Sequence, residues 1–352
     1  MKKSQVFVVG PGYTGREIID LLLLEDRYEV TTLVRRESAI AEFQKDGVKA
    51  VLGHLDDVDV IQQLSAKSDI IFHTATADHL ESAQAILAGI EERANQGKQS
   101  IYLHQSGTGV LSDSSPGNNV NNEVFSDKTP AQIDTLASTA PHRKIDLGMR
   151  TRASPASLDV SLLNDVAAIL EARQKLGSKA RIFIWMPPLI YGSNSRHKRH
   201  SIQVPALTRF ALKHGQAGYV GTGTKTWGVV HVRDLAKAYV QVLHWAETAP
   251  DSDPELQNPY FFCESAQVTW GEVSAIVGKG LHKAGRIATP DARPVLESEY
   301  GDLLGRDTPD VVGSNSRNRA DRLRAMGWTP EHLGLDEAFE KEDLPELLLS
   351  EA

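Results

Sequence analysis

Three glycines, Gly10, Gly12 and Gly15, stand in the spacing G-x-G-x-x-G between the apolar run VFVV and the helical run REIIDLLLL. A strand, a glycine turn and a helix in immediate succession form a phosphate-binding unit. The first glycine permits the tight turn, the second lets a pyrophosphate approach the backbone, and the third lets helix pack on strand. Tyr13 and Thr14, between the last two glycines, complete the turn. About 20 residues further on, an NAD site places an acidic residue against the ribose 2′-hydroxyl. Here the sequence reads LVRRES, so Arg35 and Arg36 stand where that carboxylate would be. A guanidinium can fork onto a 2′-phosphate, a charge-assisted contact worth roughly 1.5–3 kcal/mol. This predicts NADP(H) over NAD(H) by about one to two decades in affinity. The alternative is a solvated arginine pair at a strand end. Arg16, just past the third glycine, either helps hold phosphate or faces solvent.

The elements that must position this turn follow a regular rhythm. Apolar runs recur at 6–9, 30–34, 49–53, 69–75, 100–106, 181–187 and 259–265, with helical stretches between them. Continuous rather than alternating apolarity marks strands covered on both faces, so the runs predict an α/β, Rossmann-type doubly wound parallel sheet. Residues 1–192 form the dinucleotide-binding domain, completed by 229–265, and 193–228 with 266–352 make a smaller substrate lobe. The segment GMRTRASPASLDVSLLND, 148–165, interrupts what would otherwise be one helix from HRKIDL into VAAILEARQK. It reads as an inserted loop, either a substrate-side lid or a product of retained or alternatively spliced sequence.

Composition narrows the function. A net charge of −8 without a basic stripe argues against nucleic acid, which requires clustered Lys and Arg. A single cysteine, Cys263, excludes an internal disulfide framework and suits a reducing, cytoplasmic setting. The run IIDLLLL is far short of the roughly 20 residues that span a bilayer, so no membrane association is expected. QSGTG is preceded by His104 and forms no G-x-S-x-G elbow. His197 and His200 in SRHKRHS have neither Cys nor carboxylate beside them and predict a basic solvated loop, not a metal site, though Arg196, Lys198 and Arg199 could attract an acidic substrate. Gln203, Tyr219 and Trp227 are candidate pocket wall.

Several further stretches together resemble the extended or atypical short-chain dehydrogenase/reductases of the NAD-dependent epimerase/dehydratase group. GHLDD is similar to the family's third-strand end, which implies His54 and Leu55 beside the adenine. HTATAD resembles the fourth-strand end, implying Thr74, Ala75 and Thr76 along the cofactor. MPPLIYG, with Pro187, VHVRDLAKAYV and RLRAMGWTP match later family segments in the same order. In VHVRD, Asp234 is expected to cap the following helix and His231 to be structural.

The resemblance implies a Tyr-x-x-x-Lys pair for proton exchange, and this chain departs from it. None of its eight tyrosines is followed four places on by lysine. In the helix that should carry the pair, APHRKIDL, His142 and Asp146 occupy the two positions. His142 titrates near neutrality by default and is a candidate general acid, or else a structural histidine at a helix start. Ser106 and Thr108 in QSGTG are candidates to hydrogen-bond a substrate carbonyl. The expected function is NADP(H)-dependent reduction of a small organic carbonyl or related compound, with a homodimer as the candidate assembly. The alternative is a non-catalytic NADP(H) sensor resembling the NmrA-like regulators, acting through a protein partner.

Overall fold

The computed structural model describes residues 2–113, 122–147, 169–193 and 196–350. The inserted loop expected over 148–165 lies outside the described residues. The chain divides into two compact units, the first comprising Met1–Val110, Asp134–Met186 and Tyr239–Phe261, the second Leu111–Ile133, Pro187–Ala238 and Phe262–Ala352.

The first unit is built on a seven-stranded sheet. Its early strands are β1 (Ser4–Val9), β2 (Tyr28–Val34), β3 (Lys49–Leu52), β4 (Ile70–His73) and β5 (Ser100–Gln105). The order is β3-β2-β1-β4-β5, followed by Ala180–Met186 and then Tyr260–Phe262. Pairing is parallel from β3 through to Ala180–Met186. Parallel strands need crossovers, and four helices supply them: α1 (Tyr13–Leu23), α2 (Glu37–Lys45), α3 (Val58–Lys67) and α4 (Leu80–Asn95). The apolar VFVV run is buried throughout, as a strand covered on both faces must be. Strand order reverses between β1 and β4, which is where an open α/β sheet leaves a crevice for a ligand.

The second unit has its own core. Thr226–His231 pairs in parallel with Leu189–Tyr191 and antiparallel with Ala266–Thr269. The helix Trp270–Lys283 starts from a capping box, with Thr269 and Glu272 satisfying each other's backbone N–H. Its Trp270, Val273 and Val277 join Trp227, Leu207 and Phe339 in one buried cluster. Trp227 is therefore packing, its ring 5.7 Å from that of Trp270.

The expected cap at Asp234 is corrected by the structure. The helix begins at Val232, so Asp234 falls inside its first turn. Its buried carboxylate instead accepts the backbone N–H groups of Glu331 and His332 and pairs with His332 Nδ1 at 2.7 Å. Trp328 Nε1 donates to the Asp234 carbonyl. VHVRD and GWTP occur together because they hold one another. His231 is buried with its Nε2 2.9 Å from Glu342, the structural role expected of it.

Candidate functional site

The glycine turn lies at the β1/β4 crevice with its geometry set by contact. Gly10 has φ +94°, a left-handed conformation that favours glycine. A Cβ on Gly10 would strike the backbone of Ala75, and one on Gly15 would lie 2.6 Å from Thr74 Oγ1. The Thr74 hydroxyl donates to the Gly10 carbonyl at 2.7 Å, and the Thr74 N–H donates to Val9 O at 2.8 Å. These bonds lock the end of β4 onto the turn. Gly12 differs, because a Cβ there would meet nothing within 4 Å. Open space therefore stands over Gly12, at the N-terminus of α1, which no side chain caps and whose first turn holds no acid. That is a cradle for an anion, and it fits a dinucleotide pyrophosphate.

Of the other cofactor candidates, Thr14 and Thr74 are buried in the turn, Ala75 is exposed and Tyr13 and Thr76 are half-buried. Arg35 and Arg36 are exposed at the end of β2, and their side chains make no hydrogen bond or ion pair to any described residue. Arg16 is neither solvent-facing nor a free phosphate ligand. It is buried over the Phe43 ring, 3.3 Å from Asp20 and paired with Asp46, tying α1 to α2. His54 is exposed after β3, its N–H bonded to Asp57, and Leu55 is half-buried. Pro187 is buried and belongs to the second unit.

The proton-end candidates gather beyond the carboxyl ends of β4 and β5. His142 adopts φ +63°, a left-handed conformation uncommon for a side-chain-bearing residue, and its carbonyl accepts the N–H groups of Ile145 and Asp146 to start the helix Arg143–Leu147. Its Nδ1 lies 2.7 Å from Asp78 Oδ1, just beyond β4. The other ring nitrogen, Nε2, lies beside Gly109, where it would come 3.1 Å from a Cβ. Ser106, just past β5, donates its hydroxyl to Asp146 Oδ2 at 2.8 Å, and both residues are buried. Burial pushes the Asp146 carboxyl up to about 6, against the Ser106 hydrogen bond and the charges of His142 and Arg143. Thr108 is buried in the short turn Thr108–Leu111. Ser106 and His142 thus come together with Asp146 and Asp78.

Below them runs a buried polar row. His73 Nδ1 and His104 Nδ1 are 3.2 Å apart, with Ser82 Oγ on His73 Nε2 and Tyr102 OH on His104 Nδ1. Burial holds both imidazoles neutral, His73 down to about 3 and His104 well below the ordinary value. Asp78 and this row were not picked out from the sequence. Asp78 closes the HTATAD stretch at the switch point, a position from which a carboxylate can reach a histidine beyond the next strand. His73 and His104 each end an apolar run, and only the β4–β5 register makes them neighbours.

Residues 10–137 match an NAD(P)H-binding family model, and residues 166–254 match the NAD-dependent epimerase/dehydratase family. The first part of the chain is thus similar to NAD(P)H-binding proteins and its middle part to NAD-dependent epimerases and dehydratases. Among its relatives is the oxidase ucsJ of Acremonium sp, 26% identical over 93% of this chain and 93% of that protein. An uncharacterized protein of Saccharomyces cerevisiae is 23% identical over 94% of this chain and 96% of its own. The fold is shared with UDP-glucose 4-epimerase of Thermotoga maritima at TM-score 0.63, with 15% identity over 99% of this chain and all (100%) of that one. It is shared likewise with dTDP-glucose 4,6-dehydratase of Bacillus anthracis, solved with NAD, at TM-score 0.62 and 14% identity over 99% and 96% of the two chains. The match to NAD-dependent epimerases and dehydratases is in line with the expectation of an enzyme. No helix among the described residues is long and apolar enough to cross a membrane.

Proposed function

We propose that the protein is an NADP(H)-dependent oxidoreductase that reduces a small organic carbonyl or related compound, with His142 in the place of the family's tyrosine as the proton-exchanging group. The observation that carries this reading is the Asp78–His142 pair, 2.7 Å apart beyond the same strand ends as the glycine turn. A carboxylate on Nδ1 fixes the imidazole tautomer and stabilises the imidazolium, leaving Nε2 to give or take a proton.

The turn residues Gly10, Gly12 and Gly15 would hold the pyrophosphate, and Arg35 with Arg36 the 2′-phosphate. When bound, the cofactor supplies or accepts the hydride. Ser106 holds the substrate oxygen, and His142 protonates that oxygen as charge develops on it. Asp146, in the family's lysine position, cannot lower a neighbour's pKa as lysine does, so the proton exchange is assigned to the His142 imidazole, which Asp78 orients.

Loss of NADPH absorbance against a panel of aldehydes, ketones and activated alkenes tests the reading. Turnover by the native protein supports it. Stoichiometric NADPH binding without turnover on any of these compounds favours the second reading, a dinucleotide sensor, for which the missing Tyr-x-x-x-Lys pair speaks.

A further inference from the structure

The Ser106–Asp146 contact, beside the Asp78–His142 pair, has a chemistry of its own. Ser106 is 5% exposed and Asp146 is fully buried (0%), with Ser106 Oγ 2.8 Å from Asp146 Oδ2. Asp146 Oδ1 is also buried and has no hydrogen-bond partner among the described residues. A carboxylate so placed leaves half its charge unmet, whereas a carboxylic acid leaves only a weak acceptor.

A hydroxyl has one hydrogen and two lone pairs, so what it offers a ligand depends on what it has given its neighbour. Facing a carboxylate, Ser106 donates its hydrogen to Asp146 and turns a lone pair to the substrate. Facing a carboxylic acid, Ser106 accepts from Asp146 and its own hydrogen is released. A carbonyl oxygen can only accept, while an alcohol can also donate.

We infer that Asp146 is a positioning residue whose protonation sets Ser106 as donor or acceptor, so that the protonated form selects the carbonyl and the ionised form the alcohol. The inference rests on the oxidoreductase reading above. It requires no net transfer beyond one proton, which Asp146 takes from solvent or returns to it.

Among the described residues, the groups facing Asp146 come from three segments. Ser106 and Tyr102 lie on or just past β5, His142 and Arg143 on its own segment, and Asp78 in the loop after β4. Burial raises the Asp146 carboxyl to about 6, with Asp78 in the same sense, while the Ser106 hydrogen bond, His142 and Arg143 oppose. The exchange therefore falls within the working range of a protein assay.

Two measurements test it on the full chain. The first titrates the ¹³C-labelled aspartate carboxyls by NMR, with Asp146→Asn to assign the signal. The expected result is a midpoint above the ordinary carboxylate range that rises further in Ser106→Ala, because the bond favouring the carboxylate is gone. A midpoint unmoved by Ser106→Ala overturns the coupling.

The second measures pH-dependent affinity in two non-reacting complexes, 4-nitrobenzaldehyde with protein and NADP⁺, and 4-nitrobenzyl alcohol with protein and NADPH. Aldehyde affinity is expected to fall about tenfold per pH unit above the Asp146 midpoint, and alcohol affinity is not. Asp146→Asn, whose amide donates to Ser106 at every pH, is expected to keep aldehyde binding at high pH. A merely structural role for Asp146 would not produce that retention. The same pH profile in Asp146→Asn and native protein overturns the inference. Failure of both nitrobenzyl compounds to bind at any pH, with NADPH bound, counts against the oxidoreductase reading, and the carboxyl titration then still decides the coupling.

Discussion

Asp78 Oδ1 and His142 Nδ1 are 2.7 Å apart although the residues stand 64 positions apart in sequence, one beyond β4 and the other at the start of a helix. The proposed proton exchange rests on this pair. Asp78→Asn removes the anion that stabilises the imidazolium while keeping a side chain of the same shape. Reduction is expected to slow by about ten- to a hundredfold, less than the loss from removing the imidazole, with NADPH affinity unchanged. Single-turnover rates beside equilibrium NADPH titrations check both halves.

Gly10, Gly12 and Gly15 are expected to separate by cause. Ala at Gly10 or Gly15 meets backbone atoms, and Gly10 also has a positive φ, so both substitutions should lower the melting temperature. Val at Gly12 enters open space in front of α1. It should leave the melting temperature near native and weaken NADPH by tenfold or more, read by calorimetry of both quantities.

Arg35→Asp should reverse the cofactor preference. The exposed Arg35 has no described partner to lose, so the fold is undisturbed. NADPH affinity is expected to drop by about one to two decades and NADH affinity to hold or rise, in line with a lost charge-assisted contact. Equal weakening of both cofactors in fluorescence titrations would show that the arginine pair does not read the 2′-phosphate.

Stability against pH should show two opposed contributions. His73 is held down to about 3 and His104 also well below its ordinary value, both by burial. The unfolded chain takes up those protons first, so this part of the stability is complete above about pH 6.5 and is lost as pH falls toward 3. Asp127 is raised to about 7 and Asp146 to about 6, again by burial. The folded chain keeps those protons after the unfolded chain has released them, so this part is complete below about pH 4 and is lost as pH rises through 6 to 7. Between about pH 4.5 and 6 the two pairs oppose each other, so urea midpoints of Asp146→Asn, which lacks one of the carboxyls, should fall more steeply on acidification than those of the native protein.

The sheet was legible because both-face burial writes itself into the sequence as continuous apolar runs, VFVV above all. The glycine turn was legible for a related reason, since only glycine satisfies the contacts at Gly10 and Gly15. What could not be read was pairing across the chain. Asp234 looks like a cap because it sits near a helix start, yet its partners, Glu331 and His332, lie almost a hundred residues away. Arg16 looks like a phosphate ligand from its place after the turn, but Asp20 and Asp46 already hold it. His142 and Ser106 could be marked by position in the family pattern, whereas Asp78 carried no spacing signal toward either.

The most direct test of the account is the single-turnover oxidation of bound NADPH by a carbonyl substrate found in the absorbance panel, in native protein and in His142→Gln. At least a hundredfold slower reaction is expected in His142→Gln, with NADPH affinity and melting temperature unchanged. An unaltered rate would contradict it and would move the proton chemistry away from the Asp78–His142 pair.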